Sequence, residues 1–302
     1  MGKRHTVQEI LVRAFYGGAL LLLGWFFLAA IGSMWGRGGA PWQQAWFLAL
    51  APLLLGAAWL ARRFEGHVTD KALGWAAVGA FAALLLAQLA VAWLLPVEPS
   101  WDFGAVYVSA REYVEGVGIS TYLHYFERFQ NNTGLLVWEI LLFKALRLLG
   151  AASPQADLWA GMLMNIAVID AAILFALLFC RRVWGNGRAL LLLLLCLLFT
   201  PYILYAPIFY TDSMSMLFVT LPLYLLSLYK GQEKPWARLG LGAATGVLLA
   251  FGTKVKGSVA VLLVALVLYA LFNLSWKRLL GLLLAVLIPF GAFTVFFDWQ
   301  VR

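Results

Sequence analysis

Four charged residues at the edges of apolar segments could support a group-transfer reaction. Asp102 and Asp212 are carboxylates that could accept a proton near neutral pH, and Lys254 and Lys256 are ammonium groups that could hold a phosphate. A charged side chain just beyond an apolar segment is costly unless it faces water or a partner, so such positions are candidates for a functional site. The pattern predicts a general base and a phosphate clamp, provided that the fold brings these segments together.

Each of these residues also has a purely structural explanation. Asp102 and Asp212 both stand at the start of a helical pattern, where a carboxylate can cap the free backbone N–H groups of the first turn. The two lysines could extend their ammonium groups to the membrane surface while their methylene stems remain in apolar surroundings. The sequence leaves both interpretations open at all four positions.

Polar and aromatic residues near the two aspartates are candidates for substrate binding. The segment from Tyr205 to Ser215 carries more polar groups than a helix cap needs, and His124 lies close to two tyrosines that could contact a head group. The predicted substrate-binding set comprises Lys254, Lys256, Tyr107, His124, Arg128, Asn131, Asn132 and Tyr210. We predict no cofactor, because the two cysteines lack metal-ligand spacing, and leave dependence on a divalent cation open.

The elements that must position these residues are membrane-spanning helices. Of the 302 residues, 64% are hydrophobic and 12% are charged, whereas a soluble domain has about 25% charged residues. This composition excludes a soluble domain of any size. The net charge of +8 is explained by the excess of Lys and Arg in cytoplasmic loops rather than by a nucleic-acid partner.

A span needs about 20 apolar residues, and on that basis we predict an all-α polytopic membrane protein with about nine transmembrane helices. The predicted spans are 14–35, 42–60, 73–95, 158–180, 189–206, 213–229, 239–253, 259–272 and 279–297. A polar loop, residues 96–157, separates an N-terminal three-span segment (1–95) from a C-terminal six-span segment (158–302).

The sequence of the loop 96–157 predicts two helices that lie in the membrane interface. The first begins near Asp102, carries apolar residues at helical spacing and ends at Gly116. The second covers 134–149 and ends at Gly150. It is short for a span and carries three charged residues, so we interpret it as interfacial.

The distribution of basic residues predicts the orientation of the chain. With nine spans and a cytoplasmic N-terminus, the inner side collects 14 of the 22 Lys and Arg residues, in agreement with the positive-inside rule. Treating 134–149 as a span would move Arg181, Arg182 and Arg188 to the outside. This orientation places Asp102, Asp212 and both lysines on the outer face.

Four short motifs occur in an order that resembles that of the GT-C superfamily of integral membrane glycosyltransferases. The resemblance is carried by Asp102-Phe103-x-x-x-Tyr107-x-x-Ala110, by Asn131-Asn132-x-Gly134-Leu135, by Phe209-Tyr210-Thr211-Asp212-Ser213-x-Ser215 and by Gly252-Thr253-Lys254. The third of these is similar to an outer loop of dolichol-dependent mannosyltransferases. The resemblance covers about residue 73 to the end.

The resemblance implies transfer of a sugar from a polyprenyl-phosphate carrier to a glycan, lipid or protein acceptor, on the outer face of a multi-pass cell-membrane protein in contact with membrane lipids. Asp102 would be the general base of a single inverting displacement, Asp212 would orient a sugar, and Lys254 or Lys256 would stabilise the phosphate that leaves. The chain departs from the family in two extra early spans, in lacking a second carboxylate adjacent to Asp102, and in its short length, which suggests a fragment or a compact variant.

Two other functions are compatible with the same residues. A transporter or flippase of a lipid-linked saccharide would use the aromatic and basic groups along a path through the bilayer, and it predicts inverted repeats, which the sequence does not display. A non-catalytic assembly protein would use the polar loop as a docking surface, and it predicts that Asp102→Asn has no effect.

Overall fold

The computed structural model describes residues 65–301 without a break, together with separate short pieces within 13–33 and 55–63. The predicted spans 14–35 and 42–60 fall outside the continuously described part. Residues 65–301 are all-helical and contain no β-strand, as the predicted fold class requires.

Twelve α-helices follow one another between residues 65 and 301. They are α1 (Asp70–Leu94), α2 (Trp101–Val114), α3 (Leu123–Arg128), α4 (Thr133–Leu148), α5 (Pro154–Trp184), α6 (Asn186–Leu198), α7 (Pro201–Leu204), α8 (Thr211–Met214), α9 (Leu217–Gly231), α10 (Pro235–Val255), α11 (Val261–Asn273) and α12 (Trp276–Val301). Single 3-10 turns occupy Glu65–His67, Gln130–Asn132 and Gly257–Ala260.

Four helical segments of the described chain are long and apolar enough to cross a membrane: Asp70–Leu94, Pro154–Trp184, Thr211–Tyr229 and Trp276–Val301. They correspond to the predicted spans 73–95, 158–180, 213–229 and 279–297. The apolar helices at Asn186–Leu198 and Gly257–Phe272 are shorter. Helix α10 is long enough, but its glycines, threonines and Arg238 lower its hydropathy. Length and composition therefore support four of the nine predicted spans and do not establish the full count.

The predicted span 189–206 is not one helix. Helix α6 ends at Leu198, and Pro201 starts the separate short helix α7. Proline lacks the N–H that an uninterrupted helix would use and clashes with the preceding turn, whereas it is favoured at the first position of a new helix. The chain then turns at Pro207 towards α8.

The long helices pack side by side around α5. Helix α1 contacts α6 and α7, α5 contacts α6 and α9, α9 contacts α10, and α10 makes an extensive contact with α12. The largest hydrophobic cluster joins α2, α4 and α5 to α9, α10 and α12. The loop helices α2 and α4 are therefore part of the core at one end of the bundle.

Two glycines allow α10 and α12 to approach closely. A Cβ atom at Gly242 would lie 2.5 Å from the Cβ of Ala285, and one at Gly246 would lie 2.2 Å from the carbonyl oxygen of Val286. Small residues four positions apart are a common way for membrane helices to bring their backbones together. This contact fixes the first half and middle of α10 against α12, and α10 ends beside the two lysines of the predicted site.

The loop 96–157 contains both predicted helices. Helix α2 covers Trp101–Val114 and is followed by Gly116 and Gly118 with φ of 81° and 79°, and α4 covers Thr133–Leu148 and is followed by Gly150 with φ of 78°. Glycine adopts this left-handed backbone conformation without steric cost, which explains why the helices end there. Helix α3 and the 3-10 turn Gln130–Asn132 lie between them and were not predicted.

Candidate active site

The fold gathers the predicted catalytic and phosphate-binding residues at one end of the bundle. Helix α2 begins beside Asp102, α8 begins beside Asp212, and α10, which runs antiparallel to α9, ends at Lys254 and Val255. The Phe103 ring packs against the Phe209 ring with centroids 4.6 Å apart, which joins the first two segments. This end of the bundle is the candidate site.

Two phenols and two amides form the polar centre of the site. The hydroxyls of Tyr125 and Tyr210 lie 3.1 Å apart, and the Asn132 Nδ2 amide donates to both of them, at 3.1 Å for Tyr210. The Asn131 Nδ2 amide donates to Asn132 Oδ1 at 2.7 Å. Asn131, Asn132 and Tyr210 were predicted. Tyr125 was not predicted to bind substrate, although the adjacent residue His124 was.

The two phenols remain protonated at neutral pH. Burial raises the pKa of Tyr210, and the Tyr125 hydroxyl and the Asp102 carboxylate raise it further. Burial also raises the pKa of Tyr125, and Asp102 adds to this while bonds to Tyr210 and Asn132 oppose it. One phenolic proton is used in the bond between the two tyrosines, so the other remains available for a ligand.

Asp212 and Lys256 form an ion pair at the edge of this centre. The Lys256 ammonium contacts Asp212 Oδ1, and the two side chains are 30% and 62% exposed. A Cβ at Gly257 would lie 3.9 Å from the Asn131 Cβ, which places the lysine segment beside the amide cluster. Asp212 does not cap a helix with its side chain, because Tyr210 occupies the N-cap position of α8.

Lys254 has a different partner from Lys256. Its ammonium lies 2.5 Å from Asp298 Oδ1 and 5.9 Å from the centre of the Phe297 ring. The backbone beside it packs against α4, since a Cβ at Gly134 would lie 2.5 Å from the Lys254 carbonyl carbon. Lys254 thus lies between the amide cluster and the end of α12, whereas Lys256 lies next to Asp212.

Asp102 is exposed in the first turn of α2, and its carboxylate makes no hydrogen bond or ion pair with the described residues. The N-cap position belongs to Ser100, so the capping explanation for Asp102 is not what the structure shows. The preceding residue, Trp101, has φ of 54° and is 91% exposed. A left-handed conformation costs a non-glycine residue about 1–2 kcal/mol, and such strain is concentrated at functional sites.

Three predicted substrate-binding residues lie away from this cluster. The Tyr107 ring is buried, and its hydroxyl donates to the Pro154 carbonyl at 3.0 Å. His124 is exposed beside Glu127, with 2.7 Å between Nδ1 and Oε2, and the Arg128 guanidinium stacks over the Phe129 ring at 5.5 Å. The structure does not bring these three side chains together with Asp212 or Lys256.

Asn165 in α5 holds the loop that carries Tyr210. Its Nδ2 amide donates to the carbonyl oxygens of Tyr205, Ala206 and Ile208 at 2.7, 3.2 and 3.2 Å, and its Oδ1 accepts from the Ser213 hydroxyl at 2.6 Å. Backbone groups of an irregular loop inside a membrane protein need such partners. The only sequence signal for this role was a polar residue within an apolar span.

A buried ion cluster fixes α2 and α4 to the start of α5. The Asp157 carboxylate is fully buried and accepts from both Arg147 Nη groups, with Nη2 at 2.7 Å from Oδ2, and from Arg111 Nε at 3.2 Å. Arg111 also contacts the exposed Glu115 at 2.6 Å. Sequence reasoning missed Asp157, because an aspartate near a helix start is ordinarily interpreted as a solvated first-turn residue.

Glu139 is a second buried carboxyl on α4, but neither of its oxygens has a hydrogen-bond partner among the described residues. Burial raises the pKa of this carboxyl well above its ordinary range. In the unfolded chain the carboxyl ionises at its ordinary pKa of about 4.3. Between the two pKa values the unfolded state releases the proton and the folded state keeps it, so stability falls as the pH rises through this window.

We therefore expect Glu139→Gln to be as stable as the natural protein near pH 4 and more stable at pH 8. Thermal unfolding of the detergent-purified protein across this range measures the difference between the two. Glu98→Gln, at an exposed position with no ion-pair partner among the described residues, is the matched control and should leave the pH profile unchanged. A Glu139→Gln profile that runs parallel to that of the natural protein would contradict the assignment.

Comparison with known families decides the class of the protein. The sequence model of the family described as dolichyl-phosphate-mannose-protein mannosyltransferase matches residues 128–299, more than half of the chain. The chain belongs to this family. Membership and the apolar helices make it a multi-pass membrane glycosyltransferase of the GT-C kind, with a lipid-linked sugar as donor and a glycan or protein as acceptor.

The match covers part of the candidate site. It includes Asn131, Asn132, Tyr210, Asp212 and both lysines, whereas Asp102 and Tyr125 precede it. Comparison with curated proteins and with solved structures finds no match for this chain.

Proposed function

We propose that this protein transfers a hexose, in the first instance mannose, from a polyprenyl-phosphate carrier to a hydroxyl group of a glycan, lipid or protein acceptor. The observation that carries the proposal is that the exposed Asp102, the Tyr125–Asn132–Tyr210 cluster and the Asp212–Lys256 pair lie at one end of the bundle. A base, uncharged hydrogen-bond donors and a cation are the groups that this transfer needs.

The proposed reaction is a single inverting displacement. The acceptor oxygen attacks the anomeric carbon and forms the new glycosidic bond, while its proton passes to the Asp102 carboxylate. The bond between the anomeric carbon and the phosphate oxygen breaks, and polyprenyl phosphate leaves with the electron pair. Asp102 suits the role of base because no described hydrogen-bond donor or cation occupies its carboxylate.

Lys256 is the proposed partner of the phosphate. Its side chain is 30% exposed and its ammonium contacts Asp212, whereas the Lys254 side chain is 19% exposed and is held by Asp298. An ammonium acts as a point charge that strengthens its contact as negative charge builds up on the leaving oxygen. Asp212 orients Lys256 and a sugar hydroxyl. The phenols and amides of the cluster donate to further sugar hydroxyls.

The distribution of charge supports a candidate site on the outer face. Arg181, Arg182, Arg188 and the basic residues of 234–238 and 277–278 lie at the bundle end opposite the candidate site. The positive-inside rule assigns that end to the cytoplasm. The candidate site then faces the outside, where a carrier lipid can supply activated sugar without a soluble nucleotide.

The test uses the purified full chain with polyprenyl-phosphate mannose that is labelled in the sugar, and with membrane vesicles as the source of acceptor. We expect label to appear in a carrier-free product together with an equal amount of polyprenyl phosphate. If the labelled carrier instead crosses the bilayer of proteoliposomes intact, the protein is a transporter and the proposal is wrong.

The Asp212–Lys256 pair gives a sharper prediction within the same assay. We expect Lys256→Gln to lower kcat by about 10²-fold, the scale of losing one charge-stabilising group. Asp212→Asn should also lower kcat. The fold-loss of kcat in the double variant should be smaller than the product of the two single fold-losses, because the residues act as a pair. Stability should change by no more than about 1 kcal/mol, since the pair is exposed.

Lys234→Gln is the matched control for this set, because it removes one charge at the other end of the bundle. Multiplicative effects of the two single changes would contradict joint action of Asp212 and Lys256. Full activity of Lys256→Gln would remove this lysine from the mechanism.

A further inference from the structure

Three adjoining hollows lie at the end of the bundle opposite the candidate site. The largest, of 730 Å³, is lined by the C-terminal ends of α5 and α9 and by α11. A second, of 370 Å³, lies where α10 and α12 begin. A third, of 70 Å³, shares Leu226 and Tyr269 with the first and Tyr229 and Arg238 with the second. Together they form one crevice among the described residues.

The walls of the largest hollow are mainly apolar. Leu223 and Leu226 from α9 face Leu262 and Leu266 from α11, and Phe179 from α5 completes the wall. An apolar hollow of this size between membrane helices fits a hydrocarbon chain.

The rim of the crevice is basic. Arg182, Arg238, Lys277 and Arg278 line it, and none of them pairs with a carboxylate among the described residues. Glu233, in the turn between α9 and α10, is exposed and makes no ion pair with these residues. The rim therefore carries an excess of positive charge that no described residue neutralises.

Arg182 is held in place at the mouth of the largest hollow. Its Nε donates to the Ser227 carbonyl at 3.0 Å, and a Cβ at Gly231 would lie 3.1 Å from its Nη2 atom. Glycine at 231 thus leaves room for the guanidinium against the end of α9. A guanidinium has five N–H donors, so those on the Nη atoms remain for an anion.

We propose that this crevice binds an anionic phospholipid of the adjacent leaflet. One acyl chain fills the hollow between α9 and α11, and the phosphate contacts Arg182, Arg238 and Arg278. Basic pockets between transmembrane helices recognise anionic head groups in this way, because the charges are complementary and the apolar wall replaces lipid contacts. The bound lipid joins α5, α9, α11 and α12 and stabilises the folded bundle.

Native mass spectrometry of the full chain, with phosphatidylglycerol, phosphatidylcholine and inorganic phosphate as separate probes, tests the proposal. We expect phosphatidylglycerol to bind more tightly than phosphatidylcholine, and inorganic phosphate to give no adduct at the same concentration. Removing one rim charge by Arg182→Gln or Arg238→Gln should weaken phosphatidylglycerol binding about fivefold, the equivalent of about 1 kcal/mol per basic residue.

Two matched controls separate the crevice from general charge effects. Arg188→Gln removes a charge at the same end of the bundle but outside the crevice and should not change binding. Ala265→Trp fills the large hollow and should abolish tight binding, whereas Val264→Trp, at a 60% exposed neighbouring position, should not.

Several results would overturn the proposal. Equal binding of phosphatidylglycerol and phosphatidylcholine would remove the role of the arginines. Binding of inorganic phosphate alone would make the rim a simple anion site. An absence of any lipid adduct on the natural protein would mean that another segment of the chain fills the crevice.

Discussion

Replacement of Asp102 by Asn should lower the rate of sugar transfer by about 10²–10⁴-fold, the usual contribution of a positioned general base. The amide keeps the size of the side chain but cannot accept a proton from the acceptor hydroxyl. The loss should appear in kcat rather than in the affinity for the donor, because proton removal takes place only in the transition state. Release of polyprenyl phosphate from a labelled donor measures it.

Stability measurements separate catalysis from folding at this position. Asp102 is exposed and unpaired among the described residues, so Asp102→Asn should leave the unfolding midpoint almost unchanged. Glu98→Gln, an exposed carboxyl in the loop just before α2, is the matched control and should retain activity. A variant Asp102→Asn that turns over at the natural rate would show that another group removes the proton.

Replacement of Asp157 by Asn should reduce the free energy of unfolding by about 3–5 kcal/mol, the scale measured when one partner of a buried ion pair is removed. The carboxylate is fully buried and is the shared partner of Arg111 and Arg147, whose side chains are 25% and 22% exposed. The change would leave two partly buried guanidinium groups without their counter-charge. Thermal or denaturant unfolding in detergent measures the loss.

The second partner of Arg111 provides the control for Asp157. Glu115 is 47% exposed, so Glu115→Gln should cost no more than about 1 kcal/mol. Because Asp157 fixes α2 and α4 to α5, its loss should also lower the activity that depends on Asp102. An Asp157→Asn variant as stable as the control would show that water, rather than the ion cluster, satisfies the arginines.

The two ends of the bundle differ in how their charges are arranged. At the candidate site, Lys254 and Lys256 are paired with Asp298 and Asp212. At the opposite end, the arginines that line the crevice have no carboxylate partner among the described residues. A phosphate at the first end must compete with existing ion pairs and can leave again, whereas a lipid phosphate at the other end meets unpaired cations. This difference suits turnover at one end and stable binding at the other.

Hydropathy and turn residues were sufficient to predict the long apolar helices and both loop helices of residues 65–301, but not α3 or the break between α6 and α7. The apolar runs of α1, α5 and α12 are long enough to specify helices in a membrane, because the backbone must satisfy its own hydrogen bonds there. Gly116 and Gly150 marked the ends of the loop helices, since a left-handed residue is needed at those points. These are local properties of the chain, and the sequence alone determined them. The sequence alone also showed the likeness of the Asp212 and Lys254 segments to mannosyltransferases.

The pairings within the site were decided by the tertiary structure. The sequence could not indicate that Lys256, rather than Lys254, contacts Asp212, because the two residues are 44 positions apart and meet only when α8 and α10 pack together. Nor could it indicate that the Tyr125 hydroxyl contacts Asn132, 7 positions away, because that contact depends on how α3 packs. The sequence likewise presented Asp157 and Glu139 as ordinary polar residues of a loop. Their burial, and with it their importance for stability, arises only when α2, α4 and α5 pack together.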